Sequence, residues 1–173
     1  VLARRFRTLC TEGNFNNHIG VPLTLLRLTK AHEVVVVEMG ANHPGEIRDL
    51  CAIARPDCGL ITNVGRAHLE GFGSFEGVVR TKGELYDFLR ATGGRIFIDE
   101  DNEHLTAIAG GADSVGYGCT MRPTTRIAGQ TVDGPPPFLA FAWQERGDDR
   151  QHTVTTRLVG GDNLKNALAA VAV

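Results

Sequence analysis

Two short apolar runs, each emptying into glycine and polar residues, restrict this chain more than any other feature. VVVV at 34–37 leads into Glu38, Met39 and Gly40, and GLI at 59–61 leads into Asn63, Gly65 and, further on, His68 and Lys82. The valine run is β-branched, too short for a helix, and continuous rather than alternating, as in a central strand covered on both faces. Between the runs, HPGEIRDLCAIARP reads as a helix, with Pro44 near its start, apolar positions at 47, 50, 51 and 54, and Pro56 beyond its end. Strand, helix and strand make a βαβ unit, and ligands of such sheets sit outside the carboxyl ends of the strands. The chemistry is therefore expected at Glu38, His68 and Lys82.

The same alternation extends along the chain. Thr8 to Thr11 reads as a short strand, EGNFNNHIG as a polar loop, and VPLTLLRLT as a short buried helix with leucines at 23, 25, 26 and 28. Ser74 can cap a helix in which Leu85, Phe88 and Leu89 share a face. GGRIFIDED is a strand, DNEHLTAIAG a helix with Asp101 as cap, and DSVGYG a further strand. Beyond Gly118 three strand-like runs, TTRIAGQTV, PFLAFAWQ and QHTVTTRLV, are joined by turn-forming residues at 133–137 and 146–149 and read as antiparallel. GGDNLKNALAAVAV starts a helix with Asp162 as N-cap. The expected class is α/β: a mostly parallel sheet flanked by helices over 1–118, a small antiparallel β extension over 119–160, and the start of a helix over 161–173. The opening VLARRFRTLC carries no capping signal and the last helix stops with its pattern still running, so this domain is expected to be incomplete at both ends.

Composition narrows the partners. A chain of 173 residues supports one core by default. With 18 Lys and Arg against 20 Asp and Glu, and no basic block, the footprint of a nucleic-acid binder is missing. No apolar run has the ~20 residues of a membrane span. Cys10, Cys51, Cys58 and Cys119 show no metal-type spacing and the opening residues do not read as a signal peptide, so a reducing cytoplasm is expected. Cys51 and Cys58 lie in apolar contexts and read as core residues.

Each polar group admits two readings. Glu38 could ligate magnesium, which takes one or two carboxylates and completes its shell with water and phosphate oxygens, or it could be a salt-bridged or helix-capping carboxylate. His68 could be a ligand or make an ordinary loop hydrogen bond. Lys82 could be solvated, or desolvated to a neutral amine able to take up carbon dioxide as a metal-ligating carbamate. Asn163 and Asn166 share a helix face near its N-terminus, where an amide can match the donor and acceptor edge of adenine or simply meet water. Asn14, Asn16 and Asn17 are natural turn formers.

The ordered segments TEGNFNNHIGVPLTLL, VVVVEMGANHPGEI, ARPDCGLITNVGRAHLEGFGSFEGV, KGEL and DNLKNALAA closely resemble the central domain of the Mur ligases, a fold similar to the P-loop NTPases. Within that family the segments are most similar to the ligases that join D-alanyl-D-alanine to UDP-N-acetylmuramoyl-tripeptide. The resemblance spans most of 8–118 and 160–173 and is slight over 119–159. It implies an ATP- and magnesium-dependent amide ligase of peptidoglycan precursor synthesis working through an acyl phosphate. It also implies that Glu38 and His68 are magnesium ligands, that Lys82 is carbamylated to help hold a second magnesium, that Asn163 and Asn166 lie on the adenine side, and that Asn14, Asn16 and Asn17 lie near the muramoyl substrate.

Departures from the family pattern set limits. No G-x-x-x-x-G-K-S/T phosphate loop occurs in the chain, and Asp162 stands where the family often has histidine. The chain on its own is therefore expected not to ligate, and open strand edges would favour self-association. Two alternatives remain: a related ligase of the folylpolyglutamate type, and a non-catalytic module that has lost its phosphate loop.

Overall fold

The computed structural model describes residues 1–65, 69–110, 113–161 and 163–173. These divide into two compact units, Val1–Asp57 with Val64–Gly94, and Cys58–Asn63 with Arg95–Val173, where a single core was expected.

In the first unit a short 3-10 turn, Leu2–Arg4, leads into β1 (Thr8–Cys10), followed by α1 (Gly20–Leu25), β2 (Val34–Val36) and α2 (Glu46–Ala54). The two strands pair in parallel, with Leu9 opposite Val35, as a two-stranded sheet. The valine run is thus a strand, but not a central one covered on both faces: Val36 is 45% exposed. A continuous apolar run fixes local conformation and leaves the neighbour unspecified. Helices α3 (Leu69–Phe72) and α4 (Phe75–Thr92) complete the unit. Ser74 caps α4 as its sequence suggests, its hydroxyl accepting from the Gly77 amide at 3.1 Å.

The core of this unit gathers Val21, Ile47, Leu50 and Cys51, with Leu25, Val37, Met39, Leu85 and Phe88 packed against it. Three of the four leucines expected inside are not: Leu23, Leu26 and Leu28 are exposed, Leu26 by 80%, while Val21 and Thr24 are buried. The six-residue α1 is apolar almost all round, so its sequence carries no period to say which face turns inward.

The second unit is a six-stranded mixed sheet in the order β3 (Cys58–Leu60), β4 (Arg95–Asp99), β5 (Ser114–Gly118), β6 (Thr125–Thr131), β7 (Phe138–Glu145), β8 (Gln151–Val159). The first four strands run parallel and the last three form an antiparallel meander. The strand partner of β3 is β4, and that of β2 is β1, so the expected βαβ unit resolves into ladders of two separate sheets. The three runs after Gly118 are antiparallel to one another as expected, and the first of them, over 125–131, also joins the parallel part of the sheet by pairing with β5. A parallel return ordinarily needs a dozen or more residues. Here Thr125 pairs with Gly116 and Ala128 with Gly118, so the chain backs up only slightly before running on. Thr125 anchors that turn: its hydroxyl donates to Glu100 and its amide to the Arg122 carbonyl.

Helix α5 (Glu103–Ala109) is capped by Asn102, whose side chain accepts from the His104 and Leu105 amides, rather than by Asp101. Helix α6 (Asn163–Ala172) lays Leu164, Leu168 and Ala169 on a core of Phe97, Tyr117, Ile127, Leu139 and Phe141. The expected cap Asp162 lies outside the described residues. Cys58, at the mouth of β3, is exposed rather than in a core.

Candidate functional site

Four hydrogen bonds hold the exit of β2, two to Thr11 just after β1 and two to Asn16 in the asparagine loop. The Thr11 amide donates to the Val36 carbonyl at 3.0 Å and extends the ladder, and the Glu38 amide donates to the Thr11 hydroxyl at 2.9 Å. The Gly40 amide donates to the Asn16 carbonyl at 2.8 Å, and the Asn16 side-chain amide donates to Glu38 Oε1 at 2.9 Å. Glu38 is exposed, and among the described residues no lysine or arginine pairs with it. That speaks against the salt-bridge reading.

The other two asparagines do different work. Asn17 Oδ1 accepts from the Ile19 and Gly20 amides at 3.1 and 2.9 Å, which closes the start of α1. Asn14 contributes its backbone carbonyl to the Asn16 amide at 2.8 Å.

Lys82 is half-buried in α4, and burial lowers its pKa from the ordinary 10.5, as a reactive lysine requires. Two residues on, Glu84 is spent on architecture. Its carboxylate accepts from the Gly45 and Arg48 amides at 2.8 and 2.9 Å and caps α2 from a neighbouring helix. Gly45 takes φ +89°, the left-handed conformation that glycine adopts without penalty. Glu46 holds the preceding turn by accepting from the Asn42 amide at 2.6 Å, and that bond leads the interactions that lower its pKa. His68 lies outside the described residues.

In the second unit, Asn163 and Asn166 stand at the start of α6. The Asn163 amide donates to the Val159 carbonyl at 2.9 Å, and Asn166 donates to Asn163 Oδ1 at 3.4 Å. Beside them Lys165 donates to Asp99 at 2.8 Å and to Asp101, and Asp101 also takes Arg122 at 3.1 Å and the Cys119 amide at 2.6 Å. This network ties α6 to the carboxyl ends of β4 and β5. It escaped the sequence reading, although the run Asp99, Glu100, Asp101 leaves its strand just as Glu38 does.

Among the described residues no group of three or more His, Cys, Asp and Glu side chains gathers to hold a metal. One exposed carboxylate oriented by a neutral amide still fits a magnesium ion that keeps water and phosphate oxygens in its shell.

The pattern of the Mur ligase middle domain matches residues 1–173. The chain belongs to the Mur ligase middle-domain family. This middle domain is 33% identical to the UDP-N-acetylmuramoyl-tripeptide--D-alanyl-D-alanine ligase of Bacillus subtilis, a match covering 99% of the chain and 36% of that protein. It is 54% identical to the Haemophilus influenzae protein of the same name over 97 residues, 56% of the chain and 21% of that protein. Among solved structures, MurF from Acinetobacter baumannii superposes with a TM-score of 0.86 at 32% identity, over 99% of the chain and 37% of its own length. MurF ligase from Thermotoga maritima in complex with ADP superposes with a TM-score of 0.84 at 27% identity, over 98% and 39%. The chain thus spans well under half the length of these relatives. No helix among its described residues is long and apolar enough to cross a membrane.

Proposed function

We propose that this middle domain serves an ATP-dependent ligase that adds D-alanyl-D-alanine to UDP-N-acetylmuramoyl-tripeptide in the cytoplasm. The observation that carries the reading is the match, over 99% of the chain, to the Bacillus subtilis ligase of that activity. The peptide carboxylate attacks the γ-phosphorus and expels ADP, and the dipeptide amine then attacks the acyl carbon and expels phosphate, with the amine proton released. The two successive displacements together form one amide and split one ATP into ADP and phosphate.

Glu38 is the carboxylate offered to magnesium, and Lys82 the partly desolvated amine that carbon dioxide could convert to a second anionic ligand. His68 is the third candidate ligand. The chemistry such an ion supplies is neutralisation of charge on the transferring phosphoryl group. Asn163 is committed within the chain on both sides of its amide, so it acts by holding Asn166, whose carbonyl meets no donor among the described residues and is offered to the adenine edge. Asn17 shapes the loop next to the muramoyl substrate and Asn14 borders it.

The test is to supply the intact protein carrying this sequence with ATP, magnesium, D-alanyl-D-alanine and UDP-N-acetylmuramoyl-tripeptide and to follow product mass. Formation of the pentapeptide product supports the reading. Turnover of a pteroyl or other acid instead, with none of the muramoyl substrate, overturns it.

A further inference from the structure

We propose that Asn16 is a positioning residue for the cation site, acting through Glu38. The inference rests on the reading of Glu38 as a magnesium ligand and gives Asn16 a task apart from the substrate-side loop. Its side-chain amide donates to Glu38 Oε1 at 2.9 Å across 22 residues of sequence, and its own carbonyl is held by the Gly40 amide at 2.8 Å. Both ends of Asn16 therefore grip the two sides of the β2 exit, and Thr11 fixes the Glu38 backbone from below at 2.9 Å. A Cβ placed on Gly40 would approach the Asn16 side-chain carbon and nitrogen to 2.9 Å, so the amide lies flat against a position that only glycine leaves open.

The choice of an amide is chemically telling. An arginine or lysine at this place would orient the carboxylate and cancel its charge. A neutral donor fixes one oxygen and leaves the full anionic charge for a cation at Oε2, which meets no donor among the described residues. The exposure of Glu38 makes the point sharper, since an exposed side chain without such a clasp would sample several rotamers and lose affinity in becoming ordered.

The probe is Mn2+, titrated by electron paramagnetic resonance into the intact protein with a non-hydrolysable ATP analogue present. Asn16→Ala should weaken Mn2+ binding about 10-fold, the usual effect of losing a hydrogen bond to a metal ligand. Gly40→Ala, which keeps Asn16 but displaces its amide, should weaken it in the same direction. Thermal melting of both variants, followed without metal, shows that each is folded. Unchanged Mn2+ affinity in folded Asn16→Ala, with Glu38→Gln impaired, overturns the role of Asn16 and leaves Glu38 as ligand. Unchanged affinity in Glu38→Gln removes the reading of Glu38 and this inference with it.

Discussion

Glu84 and Gly45, 39 residues apart, are joined by a 2.8 Å hydrogen bond in which a carboxylate on one helix caps the N-terminus of another. The second oxygen of Glu84 takes the Arg48 amide at 2.9 Å, so two amide donors of that terminus depend on one side chain. Glu84→Ala should lower stability by about 1–2 kcal/mol, in the range of lost helix caps. Glu84→Gln keeps one acceptor and should cost less. Urea unfolding of the two variants checks the order, and equal stability of Glu84→Ala and the parent would refute it.

Burial lowers the pKa of Lys82 below the ordinary 10.5. The sign has a consequence for stability: below that value the folded state binds fewer protons at this site than the unfolded chain does. The Lys82 contribution should therefore improve as pH rises toward 10.5. It also leaves more neutral amine near neutrality. In competitive acetylation read by mass spectrometry, the half-labelling pH of Lys82 should lie below 10.5, and a value at or above 10.5 would contradict the burial.

Lys165 and Asp101 move in opposite directions. Burial works against the ionised Asp101, but hydrogen bonds from Lys165 and the Cys119 amide outweigh it and hold its pKa below 3.8. Burial likewise works against charged Lys165, and hydrogen bonds to Asp101 and Asp99 outweigh it and hold its pKa above 10.5. The Asp101 contribution is complete above pH 3.8 and is lost as pH falls through its folded value. The Lys165 contribution is complete below pH 10.5 and is lost as pH rises through its folded value. Lys165→Met should cost about 1–3 kcal/mol at neutral pH. The gap should close on both flanks, and a gap that stays flat from acid to alkali would mean the pairs contribute nothing.

Gly71, in α3, faces the Asn42 carbonyl oxygen so closely that a Cβ there would overlap it. The obstacle is backbone and cannot rotate away. Gly71→Ala should destabilise by about 1–3 kcal/mol, the cost of overpacking, whereas Gly147→Ala, where a Cβ meets open space, is strained only through its φ of +80°. Melting temperatures of the two should differ accordingly, and an unperturbed Gly71→Ala would show that the 42–45 turn yields freely.

Local signals were legible where one residue decides one bond. Ser74 announced the start of α4, and positions 47, 50 and 51 announced the buried face of α2. The strand at 34–36 was legible as conformation, but its partner was not, because a valine run looks the same beside any neighbour. The cap of α5 was missed by one residue, since Asp101 and Asn102 both suit the position and only the demands of Lys165, Arg122 and Cys119 on Asp101 decide between them. Glu38 and Lys82 were legible as candidates from the polar residues that follow the two apolar strand runs, although Lys82 lies well inside α4. The grip of Asn16 on Glu38 and of Glu84 on α2 was not, because contacts across 22 and 39 residues leave no periodic trace.

The stretch Cys58–Asn63 belongs to the six-stranded sheet although residues 64–94, which separate it from Arg95, build the other unit. No uninterrupted piece of gene therefore encodes either unit whole. A fragment beginning at Arg95 would carry β4 with the hydrogen-bonding row that β3 covers laid bare, an open template for any passing strand. A single protease cut within 64–94 would leave the edge strand of that sheet held by its ladder to β4 and the packing of Leu60 on the core, with no covalent path through the intervening chain.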